Sequence, residues 1–70
     1  MTPERAFHLF GDVLSNRDIR IFSRSDLAHG RVWFVHATVG DETREVFQSN
    51  DPRLAARWRE TYTRLERNAQ

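Results

Sequence analysis

The residues able to carry chemistry in this chain are few and scattered. Its histidines are His8, His29 and His36, and no two share the i, i+4 spacing that sets metal ligands on one helix face. His29 follows Asp26 in a loop, where a paired imidazole could serve as a base, but no nucleophile or oxyanion motif accompanies it. Ser23, Ser25 and Ser49 have no signature context, and glycines at 11, 30 and 40 form no phosphate-cradling loop. Cysteine is absent, so thiolate metal sites and disulfides are excluded. A 70-residue chain also has little room for a ligand recess of ~300 Å³ or more. These residues predict a protein that is not an enzyme, with no cofactor, no metal and no small-molecule substrate.

Arginine is the exception to this sparseness. All eleven basic residues are Arg and none is Lys, while the net charge is only +1. That balance is too small to argue for nucleic acid by itself. The Arg usage fits codon bias in a GC-rich genome, and a compact bacterial or phage protein; it also fits selection for planar, bidentate donors. Arg53, Arg57, Glu60, Arg64 and Arg67 are spaced 4, 3, 4 and 3, which on a helix makes one narrow stripe. Such a stripe is either a ridge for phosphates or acidic groups, or a solvated face whose Arg stems cover apolar surface. Arg59 and Glu66 lie off it.

The elements that must position these groups follow from pattern. Thr2-Pro3-Glu4 carries the cap, the first-turn proline and the acid that open a helix. Ala6, Phe7, Leu9, Phe10, Val13 and Leu14 share one arc, which predicts an amphipathic helix ending near Ser15-Asn16. Gly11 sits inside it, for close packing or merely tolerated. Residues 18–24 alternate, with Ile19 and Ile21 to the core. "SDLAHG" reads as a connecting loop and Gly30–Gly40 as a second strand, apolar on both faces. "GDE" at 40–42 is a turn and "TREVFQS" a third strand. A three-residue turn pairs Val39 with Thr43 and sets Phe47 beside Val35; a two-residue turn sets Val46 there. The first buries more apolar area and is preferred, although it leaves Glu45 on the core-facing side. Asn50-Asp51-Pro52 opens a last helix with Leu54, Ala55, Trp58, Tyr62 and Leu65 as its buried stripe, fraying at Asn68-Ala69-Gln70.

Residues 1–70 thus read as one small α+β domain: a two-layer α/β sandwich in the order α-β-β-β-α, a three-stranded antiparallel sheet with two helices on one face. The expected core is Phe7, Phe10, Val13, Leu14, Ile19, Ile21, Trp33, Val35, Ala37, Val39, Phe47, Leu54, Trp58, Tyr62 and Leu65. With 39% hydrophobic residues in so short a chain, stability is marginal and gains from association.

The second face of the sheet then lacks a cover. It is expected to carry Arg20, Phe22, Arg24, Val32, Phe34, His36, Arg44 and Val46, with Thr38 and Gln48. A contiguous apolar patch of this kind marks an interaction site. A second copy of the chain is the first candidate, because apolar centres rimmed by Arg match interface composition and two-fold dimers are the commonest oligomers. A different protein is another. Single-stranded nucleic acid is a third, with Phe22 and Phe34 stacking bases and Arg20, Arg24 and Arg44 on phosphates. Arg53, Arg57, Arg64 and Arg67 are the alternative nucleic-acid residues. The remaining reading folds a helix or loop over this face.

The α-β-β-β-α order, with the hairpin rhythm of "FVHATVGDETREVFQS", resembles that of double-stranded-RNA-binding domains. The resemblance is one of topology: those domains start their second helix with a lysine-rich stretch, where this chain reads Asp51-Pro52-Arg53-Leu54. No segment approaches the ~18 apolar residues of a membrane span, and "MTPERAFHLF" is no signal peptide. The expected setting is the cytoplasm. The expected role is a small interaction module, acting as adaptor, regulator or inhibitor.

Overall fold

The computed structural model describes residues 1–69 and has the order read from the sequence. Helix α1 (Pro3–Phe10) is followed by a 3₁₀ turn (Asn16–Asp18), strands β1 (Ile19–Asp26), β2 (Gly30–Val39) and β3 (Glu42–Ser49), and helix α2 (Pro52–Asn68). The sheet is antiparallel with β2 in the middle. The molecule measures 17 Å in its shortest dimension. That is enough for one sheet and one helix layer packed about 10 Å apart, leaving the other sheet face bare.

Both helices open as their sequences dictate. Thr2 Oγ1 accepts from the Arg5 amide at 3.1 Å, and Asp51 Oδ1 from the Arg53 amide at 2.9 Å. Helix α1 ends earlier than its apolar arc, at Phe10, with Gly11 as its C-cap in the right-handed helical region. Gly11 is required by space: a Cβ there would stand 2.5 Å from the Phe7 carbonyl oxygen. Beyond it the chain turns, leaving Val13 62% exposed and sending Leu14 into the core. Ser15 and Asp18 then cap the 3₁₀ turn reciprocally. The loop read as "SDLAHG" shrinks to Leu27-Ala28-His29, since β1 continues to Asp26 and Gly30 already belongs to β2. In α2, Asn68 is still helical and Ala69 caps the end; the fraying expected at Gln70 lies outside the described residues.

The hairpin between β2 and β3 departs from the expected register, and the departure matters for the site. Val39 pairs with Glu42 across a two-residue turn of Gly40 and Asp41, with Gly40 at φ 65°. Yet Val35 still pairs with Phe47. Both pairings hold because β3 carries one extra residue, Val46, between Glu45 opposite His36 and Phe47 opposite Val35. The bulge turns Val46 and Phe47 both to the helix side. Val46 is buried and Phe47 packs against the core.

One cluster of buried residues forms the core: Ala6, Leu14, Ile19, Val35, Ala37, Val46, Ala55, Trp58 and Tyr62, with Phe7, Phe10, Ile21, Trp33, Val39 and Phe47 packed against it. Leu54 and Val13, expected inside, are exposed, and Leu65 is half-buried. Ala6 and Val46 take their place, and Ala55 is buried as the stripe of the last helix predicts. Trp58 stacks on Tyr62 with centroids 6.0 Å apart, and Phe7 meets Tyr62 edge-on at 5.8 Å. Trp58 Nε1 donates to the Met1 carbonyl at 2.8 Å, and the Met1 ammonium donates to the Val46 carbonyl at 3.0 Å, so Met1 ties α2 to the bulge.

Tyr62 is fully buried, and its hydroxyl donates to the Leu14 carbonyl at 2.6 Å. Burial pushes its pKa up to about 12, with the Glu66 and Asp18 carboxylates adding to the rise. An unfolded tyrosine ionises near pH 10. The neutral hydroxyl therefore contributes stability that is complete below about pH 10 and is lost as pH rises through about 12. Urea midpoints recorded across pH 8–12 should fall steeply in the upper part of that range. Tyr62→Phe should start lower but lack that component; an identical alkaline slope in the variant would count against the assignment.

Candidate functional site

The register sets out the bare face in rows. Arg20, His36 and Glu45 align across the three strands; Phe22, Phe34 and Gln48 form the next row; Arg24 and Val32 follow, and Thr38 pairs with Thr43 on the opposite side. Each lands here because side chains alternate along a strand and its odd-numbered neighbours on β1 and β2 face the helices.

The centre of the face is aromatic. Phe22 and Phe34 stack with centroids 5.4 Å apart, and His36 meets Phe22 edge-on at 4.6 Å. The Arg24 guanidinium carbon lies 6.0 Å from the Phe22 ring centroid and 5.9 Å from that of Phe34, within cation–π range. The rings shield one another to half-burial although no element lies over them. Thr38 and Thr43 hydroxyls bond to each other at 2.9 Å. The result is an apolar centre with Arg20 and Arg24 on one flank and Glu45 on the other.

Two residues expected on this face are on the other. Arg44 pairs with Ala37 on the helix side, where its guanidinium lies 6.0 Å from the Phe10 ring and its Nε donates to Glu42 at 2.8 Å. Val46 is only 6% exposed, in the core. The two-residue turn inverts the facing of residues 43–45, and the bulge returns Phe47 to the core side. Glu45, assigned to the core-facing side, takes their place on the open face. The signal was present in the sequence: the three-residue turn left a carboxylate facing the core, a placement that costs several kcal/mol without a partner. Arg20, Phe22, Arg24, Val32, Phe34 and His36 stand where expected.

The arginines of the α2 stripe lie on one continuous helix, and the first of them is paired. Arg53 forks onto Asp51, with Nε–Oδ1 at 3.2 Å and Nη2–Oδ2 at 3.1 Å. That guanidinium, ahead of the Arg53 amide, holds the Asp51 carboxyl below its usual pKa. Arg57 lies on one flank of α2, beside Leu54 and Trp58. Arg64 and Arg67 line the other flank together with Arg59, which the sequence reading had set aside. All are exposed.

The histidines stay apart. His8 is exposed on α1, and His36 belongs to the aromatic cluster. His29 Nδ1 lies 3.2 Å from Asp26 Oδ2, but Asp26 also accepts from the Ala28 amide at 2.7 Å. The Ala28 amide first, then the His29 side chain, lower its pKa. The pair closes the β1–β2 loop. Ser23 Oγ accepts from Arg31 at 2.7 Å. Among the described residues, no group of three or more His, Asp or Glu stands close enough to hold a metal ion. Nor, among those residues, is any helix long and apolar enough to cross a membrane. Comparison of the chain with protein-family models, with curated proteins and with solved structures finds no match.

Proposed function

We propose that this chain is a small non-catalytic interaction module of the cytoplasm, an adaptor, regulator or inhibitor, that self-associates through its open sheet face. The observation that carries the reading is the Phe22–Phe34–His36 cluster on a sheet face with no element over it. Its charges are self-complementary. A two-fold axis along β2 in the interface plane sets β1 of one copy over β3 of the other. Arg20, in one row with His36 and Glu45, then stands over the partner's Glu45.

The area bounds the affinity. Three strands about 4.8 Å apart, rising about 3.3 Å per residue, make a face of roughly 14 by 30 Å. That lies below the ~800 Å² per partner of a standard interface, so the dimer should be weak, with a dissociation constant in the micromolar range or above. Sedimentation over a wide concentration range tests this: mass should rise reversibly towards that of two chains. Arg20→Glu should weaken assembly, and Arg20→Glu with Glu45→Arg should restore it. A wild type that remains monomeric at millimolar concentration sinks the reading.

A second reading has its own observation. The stacked Phe22 and Phe34 rings, with Arg24 over both, also form a platform of the sort on which unpaired bases stack. Binding of single-stranded RNA or DNA would then fall steeply with salt and weaken in Arg20→Ser/Arg24→Ser. No mobility shift at low salt with either polymer removes it.

A further inference from the structure

The helix layer covers the sheet unevenly. Phe10 of α1 lies with Ala37, Val39 and Val46 over β2 and β3, and Trp58 and Tyr62 seat α2 in the core. Beside β1 the layer stops short. An open groove of about 520 Å³ runs there between α2 and β1, larger than a chain of this size was expected to offer. Ile21 and Ala56 contribute its apolar surface; Arg59, Arg64 and Arg67, with Glu60, contribute its charge. Helix α2 runs alongside β1 in the opposite direction. Asn50, just before α2, donates to the carbonyls of His29 and Arg31 past the end of β1, and Tyr62 is bonded to Leu14 ahead of its start.

The groove adjoins a free strand edge. β1 is an outer strand, paired only with β2. Such a strand turns unpaired N–H and C=O groups outward. Arginines flank this edge on both sides: Arg59, Arg64 and Arg67 towards the helix layer, Arg20 and Arg24 on the open face. Three of the neighbouring acids are engaged locally, while Glu66, close enough to Tyr62 to act on its hydroxyl, is in no salt bridge among the described residues. Asp18 accepts from the Ser15 amide, Asp26 closes the β1–β2 loop, and Glu60 lies 3.9 Å from Arg64. Among the described residues, Arg20, Arg24 and Arg59 are in no salt bridge.

We propose that the β1 edge binds an acidic peptide in extended conformation, added beside β1 as a fourth strand. Arg59 and Arg64 are five residues apart on α2, an axial rise of about 7.5 Å, and Arg59 and Arg67 eight apart, about 12 Å. Acidic side chains at i, i+2 and i+4 of a strand are spaced by about 6.7 and 13 Å, so one face of the peptide matches the arginine wall. Its backbone pairs with β1, and its other side chains lie towards Arg20, Phe22 and Arg24. This is strand addition, in which main-chain bonds supply affinity and alternate side chains supply specificity. A second copy pairing antiparallel about Phe22 would set Arg20 opposite the partner's Arg24, a like-charge pairing. Nucleic acid would use the arginines but leave the strand edge and Ile21 unused. The surface is distinct from the face assigned to self-association.

The probe is a fluorescein-labelled decapeptide of alternating Glu and Thr, titrated by anisotropy into the full chain. Arg59→Ser/Arg64→Ser/Arg67→Ser, all at exposed positions, should weaken binding at least tenfold with unchanged circular dichroism. Methylating alternate peptide nitrogens on the pairing edge should abolish binding, and β1 amides should gain hydrogen-exchange protection when the unmodified peptide is bound. Equal binding by a decapeptide of alternating Lys and Thr, indifference to N-methylation, or protection confined to α2 would overturn the proposal. So would displacement of the peptide by single-stranded RNA of higher affinity, or by raising the concentration of the protein itself.

Discussion

Trp58→Ala is expected to leave the chain largely unfolded at neutral pH and 25 °C. Trp58 is 4% exposed, lies parallel to Tyr62 with an interplanar angle of 2°, and holds the Met1 carbonyl through Nε1. Truncating a buried tryptophan costs about 3–5 kcal/mol, and the carbonyl left without its donor adds about 1 kcal/mol. At roughly 0.05–0.15 kcal/mol per residue, a domain of this size has only about 4–10 kcal/mol in all. Far-ultraviolet circular dichroism and a urea titration check the outcome. A cooperative transition near the wild-type midpoint would mean that α2 docks by some other contact. Trp33→Ala should be milder, about 1–3 kcal/mol, since Trp33 is only half-buried and pairs with Ser23 and Ser49 where the helix layer thins. On sequence alone the two tryptophans had looked equivalent.

Phe34→Asp should dissociate the dimer while leaving the helix-side core folded. Phe34 lies mid-strand on β2, pairs with Phe22 and Gln48, and points away from α1 and α2. A carboxylate there remains hydrated in the single chain but would be buried unpaired in the sheet-to-sheet contact. Two such carboxylates are buried per dimer, at about 3 kcal/mol each, so the dissociation constant should rise by roughly four orders of magnitude, at 1.4 kcal/mol per factor of ten. Sedimentation should then give the mass of one chain with near-native circular dichroism. Val46→Asp is the informative companion. With a three-residue turn Val46 would share the open face, and its Asp variant would be a folded monomer. With the two-residue turn it is core, and the same substitution should unfold the protein. A folded monomer from Val46→Asp would contradict the register; a fully dimeric Phe34→Asp would remove the open face from the proposed function.

Most of the framework was legible because it rests on short-range rules. Thr2-Pro3 and Asp51-Pro52 start the helices through a side-chain cap and a preset φ, which need no tertiary information. Alternation placed Ile19 and Ile21 opposite Phe22, and Val35 and Ala37 opposite Phe34, because side-chain direction along a strand has a period of two. Four apolar or aromatic residues of the open face, Phe22, Val32, Phe34 and His36, were therefore found from the sequence, with Arg20 and Arg24 beside them.

The third strand could not be settled in the same way. Two local demands conflicted: Gly40-Asp41 suits a two-residue turn, while Phe47 has to reach the core opposite Val35. No residue within β3 announces the extra position that reconciles them. Inserting Val46 as a bulge disturbs the ladder locally, and what offsets this is burial of two adjacent side chains against helices contributed by the two ends of the chain. The same applies to the groove beside β1. Periodicity put Arg59 off the basic stripe, and only the docking of α2, held by Trp58 and Tyr62, brings it together with Arg64, Arg67 and a free strand edge. The sequence by itself determined the elements, their order and the facing of β1 and β2, because caps, turns and alternation act within a few residues. The tertiary structure alone decided the facing of Arg44, Glu45 and Val46 and the composition of the groove, because those depend on how much apolar surface distant segments bury together.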